Sequence, residues 1–427
     1  MKIGKNFFLN KKILIYGLGK SGVSSFKFLK KKADVYLFDD NTKINLKTIS
    51  YSQLIKTKFD RIIISPGIDI LHCKLSKFLK ENYSKIYTDL DIFFSFYKNQ
   101  SVAITGTNGK STTAKILYDI LVDQKKDVRL IGNIGNPALS EKKISKKTFF
   151  VIEVSSYQLD YSKLFSSKYA VILNISPDHI ERHKSLSNYI NAKFKLLKSQ
   201  KRQSFAFVKK NDDLISKRIK KSKFKQKIYR VDTRVISKIS NQLKNNYFNS
   251  NGNMENLSFI LKISSNLKLN KTKLINTLNN FKGLKYRQQT IFESKNLTII
   301  NDSKSTSFAS SENILKNFNE IYWILGGIPK KGDKFKLSKN ESKNFKAFIF
   351  GKYHKHFSKI LKNKVSYKKF NNLNLAVKKV FSEIKKLKSK KNVIFFSPAA
   401  ASFDSFKNFE DRGKYFNQLI KKYVDAK

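Results

Sequence analysis

The chain is poor in several residues that usually organise a protein. A single cysteine, Cys73, among 427 residues excludes an internal disulfide and suits a reducing compartment. Five prolines leave domain boundaries without their usual punctuation. No apolar run approaches the ~20 residues of a membrane-crossing helix. The stretch Ile13-Leu14-Ile15-Tyr16, preceded by lysines, has the look of a signal peptide, but Gly17, Gly19 and Lys20 interrupt it. It reads instead as a strand entering a glycine turn. Acidic residues are few, 31 against 87 basic ones, for a formal net charge of +56. Such charge first suggests nucleic-acid binding. Only nine of the basic residues are arginine, however, and the lysines are spread through every segment rather than gathered in a stripe. Lysine lacks the planar fork that reads bases and phosphates. Lys, Asn, Ile and Phe are abundant together, as a coding bias would leave them. The expectation is a soluble, cytoplasmic protein whose partners are small molecules, with no nucleic acid or membrane, its positive field drawing anionic substrates.

What is present is a full-sized α/β protein. A 40% hydrophobic content supports real cores, and the length asks for two or three domains. Strand-like runs alternate with helical ones, the pattern of parallel sheets. Candidate strands are Lys12–Tyr16, Asp34–Phe38, Arg61–Ser65, Val102–Thr105, Phe149–Val154, Tyr169–Ile175, Leu297–Asn301, Ile321–Leu325, Ala347–Phe350 and Asn392–Phe396, with helical patterns such as Glu312–Phe318 and Leu373–Leu387. Breaks near residues 98 and 284 divide the chain into 1–97, 98–283 and 284–427. Residues 209–249 are rich in Lys, Asn and Ser and carry no readable motif.

Chemistry concentrates at the ends of these strands. The stretch Thr105-Gly106-Thr107-Asn108-Gly109-Lys110-Ser111-Thr112 follows a strand and opens a helix. That layout cradles phosphate: backbone N–H groups and the helix N-terminus face the anion, Lys110 reaches the outer phosphates and Ser111 holds Mg²⁺. The first glycine of the usual loop falls at Ile104, a departure that leaves the rest of the pattern intact. Gly17-Leu18-Gly19-Lys20-Ser21-Gly22, followed by Asp39-Asp40 about 20 residues on, satisfies a dinucleotide fingerprint. Its glycines admit any pyrophosphate, so an NAD-dependent oxidoreductase and a UDP-binding domain both remain open. The later loop Ser65-Pro66-Gly67-Ile68 can line the same crevice. Glu153 ends an apolar strand where a carboxylate would hold Mg²⁺ bridging ATP phosphates. His179, with His183 nearby, follows another strand, and strand-end residues of one sheet share a cleft.

These segments together are distinctive. TGTNGKST, GNIG at Gly132–Gly135, EVSSYQL at Glu153–Leu159 and DHIERH at Asp178–His183 resemble the Mur ligase family of ATP-dependent amide-forming enzymes. NDSKSTS at Asn301–Ser307 and SPAAASFDSFKNFEDRG at Ser397–Gly413 narrow the resemblance to the branch that joins D-glutamate to UDP-N-acetylmuramoyl-L-alanine, a step of peptidoglycan precursor synthesis. The resemblance implies a Rossmann-like UDP-substrate domain, a central P-loop ATPase-type domain and a C-terminal Rossmann-like domain that binds D-glutamate and closes over ATP. It implies an acyl-phosphate intermediate, a monomer, and two Mg²⁺ ions. Ser111 and Glu153 would hold one ion; His179 and Lys193, aligned with a carbamylated lysine, would hold the second. Gly19, Lys20, Ser21, Asp39, Asn133 and Gln158 would face the UDP substrate. Asn253 and Asn256 would contact adenine, Arg287 phosphate and Asp302 the ribose, although Gly252 and Tyr286 stand where the family has histidines. Lys304, Thr306, Lys330, Ser402 and the Phe403–Phe409 backbone would bind D-glutamate, with Lys331 as a rival to Lys330. Ala400 replaces a frequent cysteine.

Overall fold

The computed structural model describes residues 7–41, 45–232, 236, 239–318, 320–330, 332–384 and 392–424. They fall into two compact units, Met1–Asn280 and Phe281–Lys427.

The first unit contains two parallel sheets. One comprises β1 (Lys12–Tyr16), β2 (Asp34–Phe38), β3 (Arg61–Ile64) and β4 (Ile86–Tyr87) in the order β2-β1-β3-β4. The other comprises β5 (Ser101–Thr105), β6 (Val128–Gly132), β7 (Phe149–Glu153), β8 (Tyr169–Ile172), β9 (Phe205–Lys209) and β10 (Lys227–Val231) in the order β10-β9-β8-β5-β7-β6. The central strands β5 and β8 are buried along their whole length, which explains the apolar runs Val102–Ile104 and Tyr169–Ile172, because helices cover both faces. At the edge, β10 leaves Lys227 and Arg230 exposed. The segment without a readable motif thus begins at the end of β9 and supplies a short helix, Asp213–Lys220, and the edge strand β10.

A shared apolar cluster joins the two sheets. Phe93, on the helix Asp89–Phe96, packs edge-to-face on Phe150 of β7 with ring centroids 5.0 Å apart. Beside it, the fully buried Asp91 carboxylate accepts hydrogen bonds from Ser162 Oγ (2.7 Å) and from the amides of Lys163 (2.9 Å), Leu164 (2.6 Å) and Phe165 (3.2 Å). Its other oxygen caps its own helix through the Thr88 amide at 2.9 Å. Burial pushes this carboxyl up from its ordinary range, and the donors pull it back.

The second unit is a single sheet of β11 (Gln289–Glu293), β12 (Leu297–Asn301), β13 (Ile321–Gly326), β14 (Phe345–Phe350), β15 (Ser366–Phe370) and β16 (Asn392–Phe396), ordered β11-β12-β16-β13-β14-β15. All neighbours are parallel except the β11–β12 pair. Edge strand β15 carries the exposed Lys368 and Lys369. The helix expected over Glu312–Phe318 instead spans Phe308–Leu315, because a reciprocal capping box between Ser307 and Ser310 starts it a turn earlier. Among the described residues, no helix is long and apolar enough to cross a membrane.

Candidate active site

In each sheet the strand order reverses at one point, and the loops leaving the strands there converge. In the second sheet of the first unit, that point lies beside β5. Its loop turns sharply at Gly109 (φ +82°), where a Cβ would sit 2.9 Å from Asn256 Cγ. The next residue, Lys110, begins the helix Lys110–Asp123, in which Ser111 and Thr112 occupy the first turn. Lys110 Nζ folds back to the loop carbonyls of Gly106 (3.0 Å) and Thr107 (2.8 Å). The loop is braced from β8: Asn174 Oδ1 accepts the Asn108 amide at 2.9 Å, and the Thr107 amide donates to Asn174 O at 3.0 Å. Thr107 Oγ1 also lies 3.0 Å from the Tyr189 hydroxyl. β8 stops at Ile172, short of the expected Ile175, as the chain turns to make this brace.

Ser111 Oγ donates to Glu153 Oε2 at 2.7 Å, and Asn133 Nδ2 donates to Glu153 Oε1 at 3.0 Å. Asn133, expected to face substrate, here orients the carboxylate. Serine hydroxyl and carboxylate oxygens at the mouth of a phosphate loop fit a hard divalent cation, since Mg²⁺ takes one or two protein ligands and fills its shell with phosphate and water. Among the described residues, no group of three or more His, Cys, Asp or Glu side chains is arranged to hold a metal by itself.

Lys193 comes from the helix Leu186–Lys198 and is 1% exposed, with Nζ 2.7 Å from Gly106 O. Burial, reinforced by the positive charge of Lys110, drives its amine well below the ordinary lysine range, while Asp178 and Glu153 oppose the shift.

His179 adopts a left-handed backbone (φ +53°) ahead of the helix Ile180–His183, and its ring packs on Tyr157 at 4.9 Å between centroids. Three residues on, the Arg182 guanidinium lies over Tyr157 and donates to Gly67 O, Ile68 O and the Tyr161 hydroxyl. The histidine segment is thereby tied to the Ser65–Ile68 loop of the first sheet. Arg182 and Asn174 stood within the segments read from sequence without any role, because their partners are distant in the chain.

In the first sheet, Gly17 (φ +89°) allows the turn after β1, and Ser65 Oγ donates to Gly17 O at 2.6 Å. Asp39 braces this turn by accepting the Leu18 amide at 2.5 Å, and the Ser21 hydroxyl donates to the buried Asp89. Gly19 and Lys20 stay exposed beside the crevice. At the end of β2 opens a cavity of ≈ 560 Å³ lined by Asp39, Asn41, Ser50, Tyr51 and Lys74. Gln158 is buried, its Oε1 accepting the Ser155 amide at 3.1 Å to cap the helix Ser156–Tyr161. On the helix Asn251–Asn266, Asn256 borders the phosphate loop, and Asn253 one turn earlier donates to Tyr247 O at 2.8 Å.

The second unit gathers the remaining candidates. Asp302, just after β12, accepts the Gln288 amide and the Ser397 hydroxyl, each at 3.1 Å, beside Arg287. Burial raises its carboxyl to about 7. Lys304 Nζ lies 3.9 Å over the Phe409 ring. Thr306 and Lys330 are exposed, Ser402 is buried, and Phe403 is 72% exposed. Lys331 lies outside the described residues. The buried Arg412 at the centre of these loops was not singled out from sequence; only its place in the EDRG segment pointed to it.

Residues 104–279 match the model of the Mur ligase middle domain. The UDP-N-acetylmuramoylalanine–D-glutamate ligase of Rickettsia felis is 32% identical, with 98% of this chain and 99% of the relative covered. The enzyme of the same name from Rickettsia prowazekii is 33% identical over the same shares. Among solved structures, the UDP-N-acetylmuramate-alanine ligase of Thermotoga maritima superposes with a TM-score of 0.56 at 18% identity, covering 98% of this chain and 100% of that one. A MurF ligase of Thermotoga maritima in complex with ADP gives 0.56 at 14% identity, covering 99% and 98%.

Proposed function

The chain belongs to the Mur ligase family, among its UDP-N-acetylmuramoylalanine–D-glutamate ligases, and we propose that its strand-end clusters divide the work of that ATP-dependent amide synthesis. The reaction joins the carboxylate of UDP-N-acetylmuramoyl-L-alanine to the amino group of D-glutamate, with release of ADP and phosphate. One observation carries the assignment of roles: the phosphate loop, the Ser111–Glu153 pair and the buried Lys193 amine meet around Gly106 at the switch point of one sheet.

Two anions, the alanyl carboxylate and the γ-phosphate, must be brought together. Lys110, which folds back on the loop carbonyls of Gly106 and Thr107, serves the outer phosphates, while the loop amides hold the rest. Mg²⁺, when bound, neutralises phosphate charge; Ser111 and Glu153 would hold one ion, and His179 with a carbamylated Lys193 a second. The carboxylate oxygen attacks the γ-phosphorus, the P–O bond to ADP breaks, and an acyl phosphate forms. D-glutamate's amine then attacks the acyl carbon, phosphate leaves, and a proton departs from the new amide nitrogen.

Asn253 and Asn256 serve the adenine, Arg287 a phosphate and Asp302 the ribose. The cavity beside Asp39, the Gly19–Ser21 turn, Asn133 and Gln158 serve the UDP substrate. Lys304, Thr306, Lys330, Ser402 and Phe409 serve D-glutamate. The functional divisions are 1–97, 98–283 and 284–427, one sheet in each. Dispersed lysine supports small-molecule substrates over nucleic acid, and nucleotide substrates support a cytoplasmic site; a monomer belongs to the same reading. Phosphate release with ATP, Mg²⁺ and UDP-N-acetylmuramoyl-L-alanine tests the assignment. It should require D-glutamate, fail with L-glutamate or L-lysine, and disappear in Lys110→Ala. Equal release with every acceptor would overturn it.

A further inference from the structure

Arg412 has no exposed surface, yet its guanidinium reaches three separate loops at the carboxyl edge of the second unit's sheet. Nε donates to Ser303 Oγ at 3.1 Å and Nη2 to Ser303 O at 2.7 Å, both on the loop after β12. Nη2 also donates to Ala400 O at 2.9 Å, on the loop after β16. Nη1 points to Gly326 O at 3.4 Å, at the end of β13. Ser303 Oγ passes the connection on to Phe409 O at 2.9 Å. Lys304 and Thr306 extend from the first of these loops, Lys330 from the Gly326 loop, and Ser402 with Phe403–Phe409 from the third.

The neighbouring backbone is shaped around this side chain. A Cβ on Gly327 (φ +125°) would stand 3.0 Å from Nη1. The Ile328 and Ala401 amides exchange hydrogen bonds of 2.9 Å with each other's carbonyls, locking two of the loops together beside it. Only a planar group with five donors can serve three carbonyls and a hydroxyl at once; a lysine ends in one nitrogen and would reach a fraction of them. The arrangement is costly. The hydroxyl and three carbonyls that it meets are neutral, and burial lowers the guanidinium to about 10, with the charges of Asp404 and Asp302 opposing. Apolar packing would brace loops more cheaply. A buried cation beneath loops that meet a dicarboxylate has a second use, because its field favours anion binding above it.

We propose that Arg412 is the positioning residue of the acceptor pocket, holding the three loops at the spacing that a dicarboxylic amino acid requires. The proposal rests on the D-glutamate reading of this unit. The test is steady-state phosphate release by full-length Arg412→Lys, Arg412→Ala and Ser303→Ala, with each of the three substrates varied in turn. Arg412→Lys should raise the KM for D-glutamate about tenfold or more, equivalent to at least ~1.4 kcal/mol, while the KM for UDP-N-acetylmuramoyl-L-alanine stays near wild type. Ser303→Ala should shift the same constant in the same direction by less. Guanidinium ion at sub-denaturing concentration should restore D-glutamate affinity to Arg412→Ala, and methylammonium should not. If Arg412→Ala fails to fold, the lysine and serine variants decide alone. An unchanged D-glutamate KM, or a parallel rise in all three constants, overturns the proposal. Wild-type enzyme indifferent to D-glutamate would sink the underlying reading instead, and the same comparison with the acceptor it does use would then decide Arg412.

Discussion

Gly109 offers a substitution whose cost can be built from two separable parts. Its φ of +82° lies in the left-handed region, and a Cβ would stand 2.9 Å from Asn256 Cγ and closer still to that side chain's oxygen. An L-residue held left-handed costs ~1–2 kcal/mol, and forcing an extra carbon into a filled space costs a further ~1–3 kcal/mol. Gly109→Ala should therefore destabilise the protein by about 2–5 kcal/mol and lower the melting temperature by about 2–4 °C for each kcal/mol in a unit of this size. Removing the obstruction isolates the first part. Gly109→Ala in an Asn256→Ala background should cost only the ~1–2 kcal/mol of backbone strain. Urea titrations of the four proteins in this cycle, with ATP-dependent phosphate release, give both numbers. The affinity for ATP should fall with Gly109→Ala, because the loop amides rotate away from the phosphates. If Gly109→Ala kept wild-type stability and ATP affinity, the loop would not be held as described. If the cost were the same in both backgrounds, Asn256 would not be the obstruction.

Lys193→Ala should lose turnover and regain part of it when a short-chain carboxylic acid is added, and labelled bicarbonate should give a carbamate signal in the wild type alone; activity without the acid would remove Lys193 from the chemistry. Asp302 has a folded value of about 7 against 3.8 unfolded, so the folded state retains a proton that the unfolded chain releases. Its contribution to stability is full below 3.8 and fades as pH rises through about 7. Asp302→Asn should flatten that part of the stability–pH curve, and an unaltered slope would place the proton elsewhere. Asp91→Ala strands the buried donors of residues 162–165 and should cost ~3–5 kcal/mol, read by thermal melting. Asp91→Asn can keep the oxygen that serves them and lose mainly the Thr88 cap, ~1–2 kcal/mol; equal costs for the two would discount the donors.

The strands that sequence made legible are those whose apolar run is closed at both ends by polar or glycine turns, whether central like β1, β12 and β16 or at an edge like β2. β1, β2, β12 and β16 begin and end as expected because apolar runs between polar turns leave little choice. β4, β6, β9, β10, β11 and β15 were not singled out: in β10 and β15, Lys-Ile-Tyr-Arg-Val and Ser-Tyr-Lys-Lys-Phe, lysine on the open side hides the period of the strand. The phosphate loop announced itself because its function depends on consecutive residues. Lys193 could be found only through resemblance, since nothing local distinguishes it from any other lysine on a helix, and its burial is decided by the surrounding fold. Arg412 and Asp91 were invisible for a related reason. Each acts on backbone groups far away in sequence, and a carbonyl or amide carries no residue-specific mark. Asp39 and Gln158 show the converse, where the residue was found but its side chain is already committed to bracing a turn and capping a helix.

The lysine-bearing edge strands give the chain's large charge a physical use. A sheet ending in bare amide and carbonyl groups invites a second molecule to add its own strand. Lys227 and Arg230 on β10, and Lys369 on β15, make such a pairing bring like charges face to face, while Lys368 is held by Glu383 at 2.6 Å. Neutral replacements at Lys227, Arg230 and Lys369 should leave the catalytic loops untouched and raise self-association with protein concentration at low salt, read by light scattering; unchanged scattering would remove the charges from that role.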